Sequence, residues 1–186
     1  DKVAPVWLEK ANIMDKLIVT SNHAKYGFIN TVYNGTLPNG QEATLKLEKP
    51  IEVVNYAVRN VEKVELDLDF ETDKNFLCVA QWGPRKNVEN TVKWFLEHFK
   101  EEENVGLVLK LNCMNSSIID RFETKKRIKN FIAQYGKESK CKVYIIHGDM
   151  SEEELHSLYA HPKVLSMISL THGEGYGLPL FEAAYN

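Results

Sequence analysis

The chain has 186 residues, 44% hydrophobic and 26% charged, with a formal net charge of -3, a composition that supports an ordinary globular core and excludes a disordered tail. That slightly acidic balance offers no field to a polyanion, which excludes nucleic acid as a partner. No run of about 18 apolar residues occurs and no basic-then-apolar leader opens the sequence, so no transmembrane segment is expected and the chain reads as cytoplasmic.

Along the chain, Leu17-Ile18-Val19-Thr20 predicts a short strand, followed by Ser21 or Asn22 as the cap of a helix over His23 to Tyr33. Asn34-Gly35, Pro38 and Asn39-Gly40 crowd together, which predicts a loop or a mobile connection between units. Ile51 to Val58 is the next strand candidate. Asp67-Leu68-Asp69 spells an Asp-x-Asp pattern that can hold a divalent metal, but it lies in an alternating stretch before a strand, which favours a purely structural role.

From Phe76 the pattern becomes regular. Phe76–Trp82, Val105–Leu111 and Val143–His147 read as strands, separated by helices over Val88–Lys100 and Ser117–Tyr135. Val88, Val92, Leu96 and Phe99 share one face of the first helix, as burial against a sheet requires. Gly136 is placed to close the second helix. Ser151 and Glu154 form a capping box for a third helix, Glu152–Ala160, with Pro162 beyond its end. A βαβαβ order of this kind predicts a Rossmann-like α/β fold, a parallel sheet with right-handed crossovers and helices on both faces.

Cys78, Cys113 and Cys141 show neither Cys-x-x-Cys nor zinc spacing and read as three reduced thiols. His147, His161 and His172 likewise lack the helical spacing of a zinc site, and no metal is expected. Gly-x-Ser-x-Gly is absent, so a serine hydrolase is not supported. Asn34-Gly35-Thr36 and Asn115-Ser116-Ser117 match the glycosylation sequon by chance in a chain read as cytoplasmic.

The most informative stretch runs from Thr171 to Glu182. The apolar run Val164–Leu170 reads as a buried strand leading into it, which sets Glu174 just past a strand's carboxyl end, where open parallel sheets bind ligands. Gly175 and Gly177 permit positive φ and close approach of a phosphate or sugar to the backbone around Tyr176 and Leu178. Pro179 presets the first helical position, which puts Glu182 in the first turn of a helix whose amino end can face phosphates. A second locus, Gly83-Pro84-Arg85-Lys86-Asn87, joins a strand to a helix. Arg85 and Lys86 there would meet a diphosphate as its negative charge grows.

His172 to Ala184 resembles the Glu-x7-Glu donor motif of the GT-B retaining glycosyltransferases of the group 1, or family 4, type, and the loop ending Arg85-Lys86-Asn87 resembles a second motif of that family. The family's Gly-Arg pair before that loop reads Ala80-Gln81 here, so Gln81 can donate hydrogen bonds without supplying charge. The resemblance implies transfer of a sugar from a nucleotide-diphosphate donor, with retention, to an acceptor that it does not identify. Glu182 would hold the ribose, Glu174 the sugar hydroxyls, the amides of Tyr176–Leu178 the phosphate or sugar, and Lys86 the leaving phosphate. Glu174 and Lys86 are thus the catalytic candidates, and His172 and His147 the weaker site candidates. No cofactor beyond the donor is implied, and no metal.

The resemblance also implies a fragment, since the chain opens at Asp1 without methionine and stops at Asn186, soon after Pro179. Residues 1–60 would be the last strand and helix of an acceptor-side domain plus linker, and residues 61–186 a donor-binding domain truncated at its end. Transfer by the chain alone is not expected. A nucleotide-sugar epimerase or phosphorylase of the same architecture, or a non-catalytic binding module, are the alternatives.

Overall fold

The computed structural model describes residues 2–186, and the chain divides into two compact units between Ala57 and Val58. The first unit contains α1 (Pro5–Ile13), β1 (Leu17–Val19), α2 (Asn22–Asn30), β2 (Val32–Thr36), β3 (Glu42–Lys46) and β4 (Ile51–Val53). Helix α1 has no counterpart in the sequence reading; Pro5 starts it, and Leu8 and Ala11 form its buried side. Helix α2 starts as expected, with the Ser21 hydroxyl accepting from the Ala24 N–H at 3.1 Å. It ends at Asn30 rather than Tyr33, because Tyr33 pairs with Leu45 in an antiparallel hairpin of β2 and β3. Of the cluster read as a loop or connection, Asn34-Gly35 lies within β2, paired with Thr44 and Ala43, and only Pro38 to Gly40 fall in the hairpin turn, with Gly40 at φ 83° and the Leu37 N–H donating to the Gln41 carbonyl. Strands β1 and β4 run parallel for three residues. Strand β4 stops short of Val58, where the Asn55 side chain donates to the Thr20 carbonyl.

The second unit opens with an extended segment in which Leu66, Leu68 and Phe70 turn inward while Asp67 and Asp69 are exposed, the structural role that the alternation predicts. Its sheet contains β5 (Lys74–Gln81), β6 (Val105–Asn112), β7 (Lys142–Ile146) and β8 (Val164–Met167), all parallel in the order β7-β6-β5-β8. Helices α3 (Val88–His98) and α4 (Ile118–Tyr135) cover one face, where Val88, Val92, Phe95, Leu96 and Ile128 meet Leu107, Leu109 and Leu111. Helices α5 (Glu152–Tyr159) and α6 (Leu178–Tyr185) cover the other, where Leu158 and Ala183 pack with Leu77 and Val108. Strand β6 therefore sends alternate residues to opposite cores, as strand geometry demands. Ser117 and the Ser151–Glu154 capping box start α4 and α5, and the Gly136 N–H closes α4 on Ile132.

At the amino ends of the strands a buried polar knot holds the sheet together. The Thr72 hydroxyl donates to Asn75 Oδ1 at 2.6 Å, and Asn75 Nδ2 donates to the carbonyls of Thr72 and Lys163. Tyr144 Oη lies 3.1 Å from the Thr72 hydroxyl. Gly106 faces this knot.

The order of strands decides where a ligand would sit. The chain builds outward from β5 to β6 and β7 and then returns to β8 on the other side of β5, so the connections leave β5 and β8 in opposite directions. Such a reversal is expected to leave a crevice outside their carboxyl ends.

Candidate functional site

Two loops meet at that crevice. One follows β5 as Trp82-Gly83, a 3-10 turn over Pro84–Lys86, and Asn87; the other follows β8, which leaves the sheet after Met167 rather than Leu170 once the Ile168 N–H has reached the Leu77 carbonyl. They are stitched by hydrogen bonds to main-chain carbonyls. The Arg85 carbonyl accepts from the His172 N–H at 2.9 Å and from the Thr171 hydroxyl at 3.0 Å. Asn87 Nδ2 donates to the Leu170 carbonyl at 2.9 Å, and the same residue stands at the start of α3 with φ 51°, a left-handed conformation that asparagine tolerates better than most residues.

This stitching brings the charged groups together. Lys86 Nζ lies 2.5 Å from Glu174 Oε1, and Arg85 Nη1 lies 3.1 Å from Oε2. Lys86 and Glu174 side chains are 18% and 20% exposed and Arg85 58%, so the Lys86 contact is the sheltered one. Burial works to raise the Glu174 pKa, but the bonds and charges of Lys86 and Arg85 outweigh it and hold the carboxyl below its ordinary 4.5. A depressed carboxylate stabilises the fold above its unfolded-state pKa, and that contribution is lost as pH falls through the folded value. The stability difference between wild type and Glu174→Gln in urea titrations should accordingly be largest near neutrality and shrink as pH drops below 4.5.

The turn after Glu174 differs from expectation in two ways. Gly177 takes φ 81° and caps α6, whereas Gly175 does not adopt a positive φ. Leu178 takes the first helical position and Pro179 the second, which moves Glu182 to the fifth residue of α6, out of its first turn. Glu182 is half-buried, and its Oε2 accepts from the Tyr159 hydroxyl of α5 at 3.2 Å. Burial, reinforced by Glu182, raises the Tyr159 pKa, so the phenol stays a donor. The Tyr176 ring rests edge-on against Phe181.

A cleft of about 340 Å³ opens beside the Lys86–Glu174 pair, lined among others by Gln81, Lys86, Lys110, Asp149 and Pro179. Gln81 is at its rim, with Nε2 3.4 Å from the Met114 carbonyl. Lys110 went unremarked in the sequence; its only local signal is one lysine inside the apolar run Val105–Leu111. His147 does not face this cleft. Its ring is buried, and Nε2 lies 2.9 Å from Asp120 Oδ2. Asp120 also accepts from the Cys113 and Met114 N–H groups, so His147 belongs to a polar latch between α4 and the strand ends. His161 is elsewhere, its Nδ1 accepting from the Lys163 N–H.

Cys78, Cys113 and Cys141 are free thiols, and burial pushes the Cys78 thiol up to about 11. No group of three metal-ligating side chains occurs among the described residues, and no helix among them is long and apolar enough to cross a membrane.

No protein-family model and no curated protein matches the chain. Solved structures do match its fold. The apo structure of OtsA aligns over 96% of the chain and 45% of its own, with a TM-score of 0.61 and 11% identity. A trehalose-6-phosphate structure from E. coli bound with UDP-2-fluoro glucose aligns over 96% and 45%, at 0.55 and 10%. A Burkholderia xenovorans α,α-trehalose-phosphate synthase (UDP-forming), in complex with glucose-6-phosphate, aligns over 95% and 44%, at 0.53 and 10%. The chain spans less than half the length of these structures. What they share with it is the fold, a Rossmann-like α/β architecture of the GT-B type.

Proposed function

We propose that this chain holds a nucleotide-diphosphate sugar for retaining glycosyl transfer. The observation that carries the reading is the convergence of Lys86, Arg85 and Glu174 at the crevice between β5 and β8. Two cations around one carboxylate leave a positive balance at a strand-to-helix rim, which is what a diphosphate needs. Glu174, already fixed by both cations, is oriented to accept from sugar hydroxyls. Lys86 is the group that stabilises the departing diphosphate, acting where charge develops as the glycosidic bond breaks. Glu182, one helical stretch further on and steadied by Tyr159, is the acceptor for ribose hydroxyls. One similar structure holds UDP-2-fluoro glucose and another is a UDP-forming synthase, which supports the same ligand class for this cleft.

Calorimetric titration of UDP, GDP and ADP tests the reading. At least one should bind the wild-type chain, and Glu182→Ala should weaken it by about tenfold, the loss of one or two hydrogen bonds to a charged group. Wild-type protein that is folded by circular dichroism yet binds none of the three at millimolar concentration would overturn it.

A further inference from the structure

Among the described residues, Lys110 lines the cleft without an ion-pair partner, whereas Lys86 is paired with Glu174. Lys110 stands opposite Val79, two pairs before the end of the β5–β6 register, and on the other side it pairs with Ile146. Leu109 and Leu111 turn into the α3–α4 core, so Lys110 turns to the opposite face, where it lines the cleft together with Lys86. Its stem therefore lies among apolar neighbours while its ammonium reaches the carboxyl-end rim of the sheet. There Nζ donates to the Gly148 carbonyl at 2.5 Å.

An ammonium carries three donors and a full charge, and one main-chain carbonyl answers neither demand. Among the described residues no carboxylate forms an ion pair with it. Asp149 attracts it from a distance, but the Asp149 carboxylate is engaged by the Ser116 hydroxyl at 2.5 Å. Lys86 and Arg85, by contrast, are both already paired with Glu174. Burial lowers the Lys110 pKa, with Asp149 opposing, which is the mark of a cation held at a cost in a partly desolvated place. A sheet position that asked only for packing would carry a leucine or valine, as its neighbours do.

We propose that Lys110 is a donor-binding residue, a cationic contact for the diphosphate that enters the cleft beside Lys86 and past the uncharged Gln81. The inference rests on the nucleotide-sugar reading and adds to it a second cation, after Lys86, that favours a diphosphate over an uncharged nucleoside. The anion takes the donors that Gly148 leaves unused, and it supplies the ion pair that no carboxylate among the described residues makes with Lys110.

The test compares wild type, Lys110→Met and Lys110→Arg against UDP, GDP and ADP and their nucleosides, with thermal melts to verify folding. Lys110→Met, which keeps the apolar stem, should weaken the bound diphosphate at least tenfold and change nucleoside affinity less than about twofold, as expected for one charge-assisted contact. Lys110→Arg should retain most of the affinity. In wild type, the NMR signal of the Lys110 Cε should move on titration with the diphosphate, its pKa rising as the anion binds, and should not move with nucleoside. Equal diphosphate affinity in wild type and Lys110→Met overturns the inference and leaves the nucleotide-sugar reading standing. Equal losses of diphosphate and nucleoside also overturn it, showing that Lys110 only shapes the cleft. Absence of any diphosphate binding in wild type removes the reading and the inference together.

Discussion

Lys86→Met is expected to weaken binding of the nucleoside diphosphate by roughly 30- to 100-fold, or about 2–3 kcal/mol. Two losses combine. The direct one is a charge-assisted contact from a side chain only 18% exposed, where a hydrogen-bonded charge is worth more than at an open surface. The indirect one concerns Glu174. In the native site its carboxylate is answered by Lys86 at 2.5 Å and Arg85 at 3.1 Å, and the local balance is one positive charge. Without Lys86 that balance is zero, and the carboxylate faces the incoming phosphates with only the more exposed Arg85 to screen it. Double substitution separates the two. If the indirect loss is real, Lys86→Met with Glu174→Gln should bind diphosphate more tightly than Lys86→Met alone. A Lys86→Met protein that binds as well as wild type would remove Lys86 from the site.

Gly106→Ala should lower stability by about 3 kcal/mol or more, since overpacking a core typically costs 1–3 kcal/mol and here it also breaks buried hydrogen bonds. A Cβ at this position would stand 2.1 Å from Asn75 Oδ1, 2.6 Å from Thr72 Oγ1 and 2.8 Å from Tyr144 Cε2. None of the three can retreat freely. Asn75 is fully buried and ties β5 to the Lys163 carbonyl that precedes β8, and Thr72 and Tyr144 hold it from either side. Moving them strips buried donors of their partners. Chemical denaturation should show the loss as a lower midpoint, and a variant within about 0.5 kcal/mol of wild type would mean that the knot relaxes far more than buried networks do. Because the knot lies at the amino ends of the strands, away from the Lys86–Glu174 rim, the folded fraction of Gly106→Ala should keep the wild-type affinity for the diphosphate.

The parallel sheet was legible in the sequence because its signals are local. Apolar runs such as Val105–Leu111 alternate with helical faces such as Val88, Val92 and Leu96, and each carries its own boundary markers in Ser117, Gly136 and the Ser151–Glu154 box. The loops that bear Lys86 and Glu174 were legible for the same reason, each being a glycine-marked exit from a strand into a helix. Periodicity fared worse in the first unit. Tyr33 continues the polar pattern of α2 but is claimed by Leu45 across a hairpin, and the pairing of β1 with β4 depends on residues more than thirty positions apart.

What the sequence by itself determined is the order of elements in the second unit and the types of residue at the ends of β5 and β8, because propensity, capping and alternation act within a few residues of where they are read. Tertiary structure decided which side chains meet. Lys86 is paired with Glu174 across 88 positions, His147 was withdrawn from the cleft by Asp120, Glu182 was given to Tyr159, and Lys110 was turned into the cleft by the register of β6. Each of these is a choice among partners distant in sequence, and only the assembled sheet with its two helical layers sets the distances, the burial and hence the charge balance that make one partner better than another.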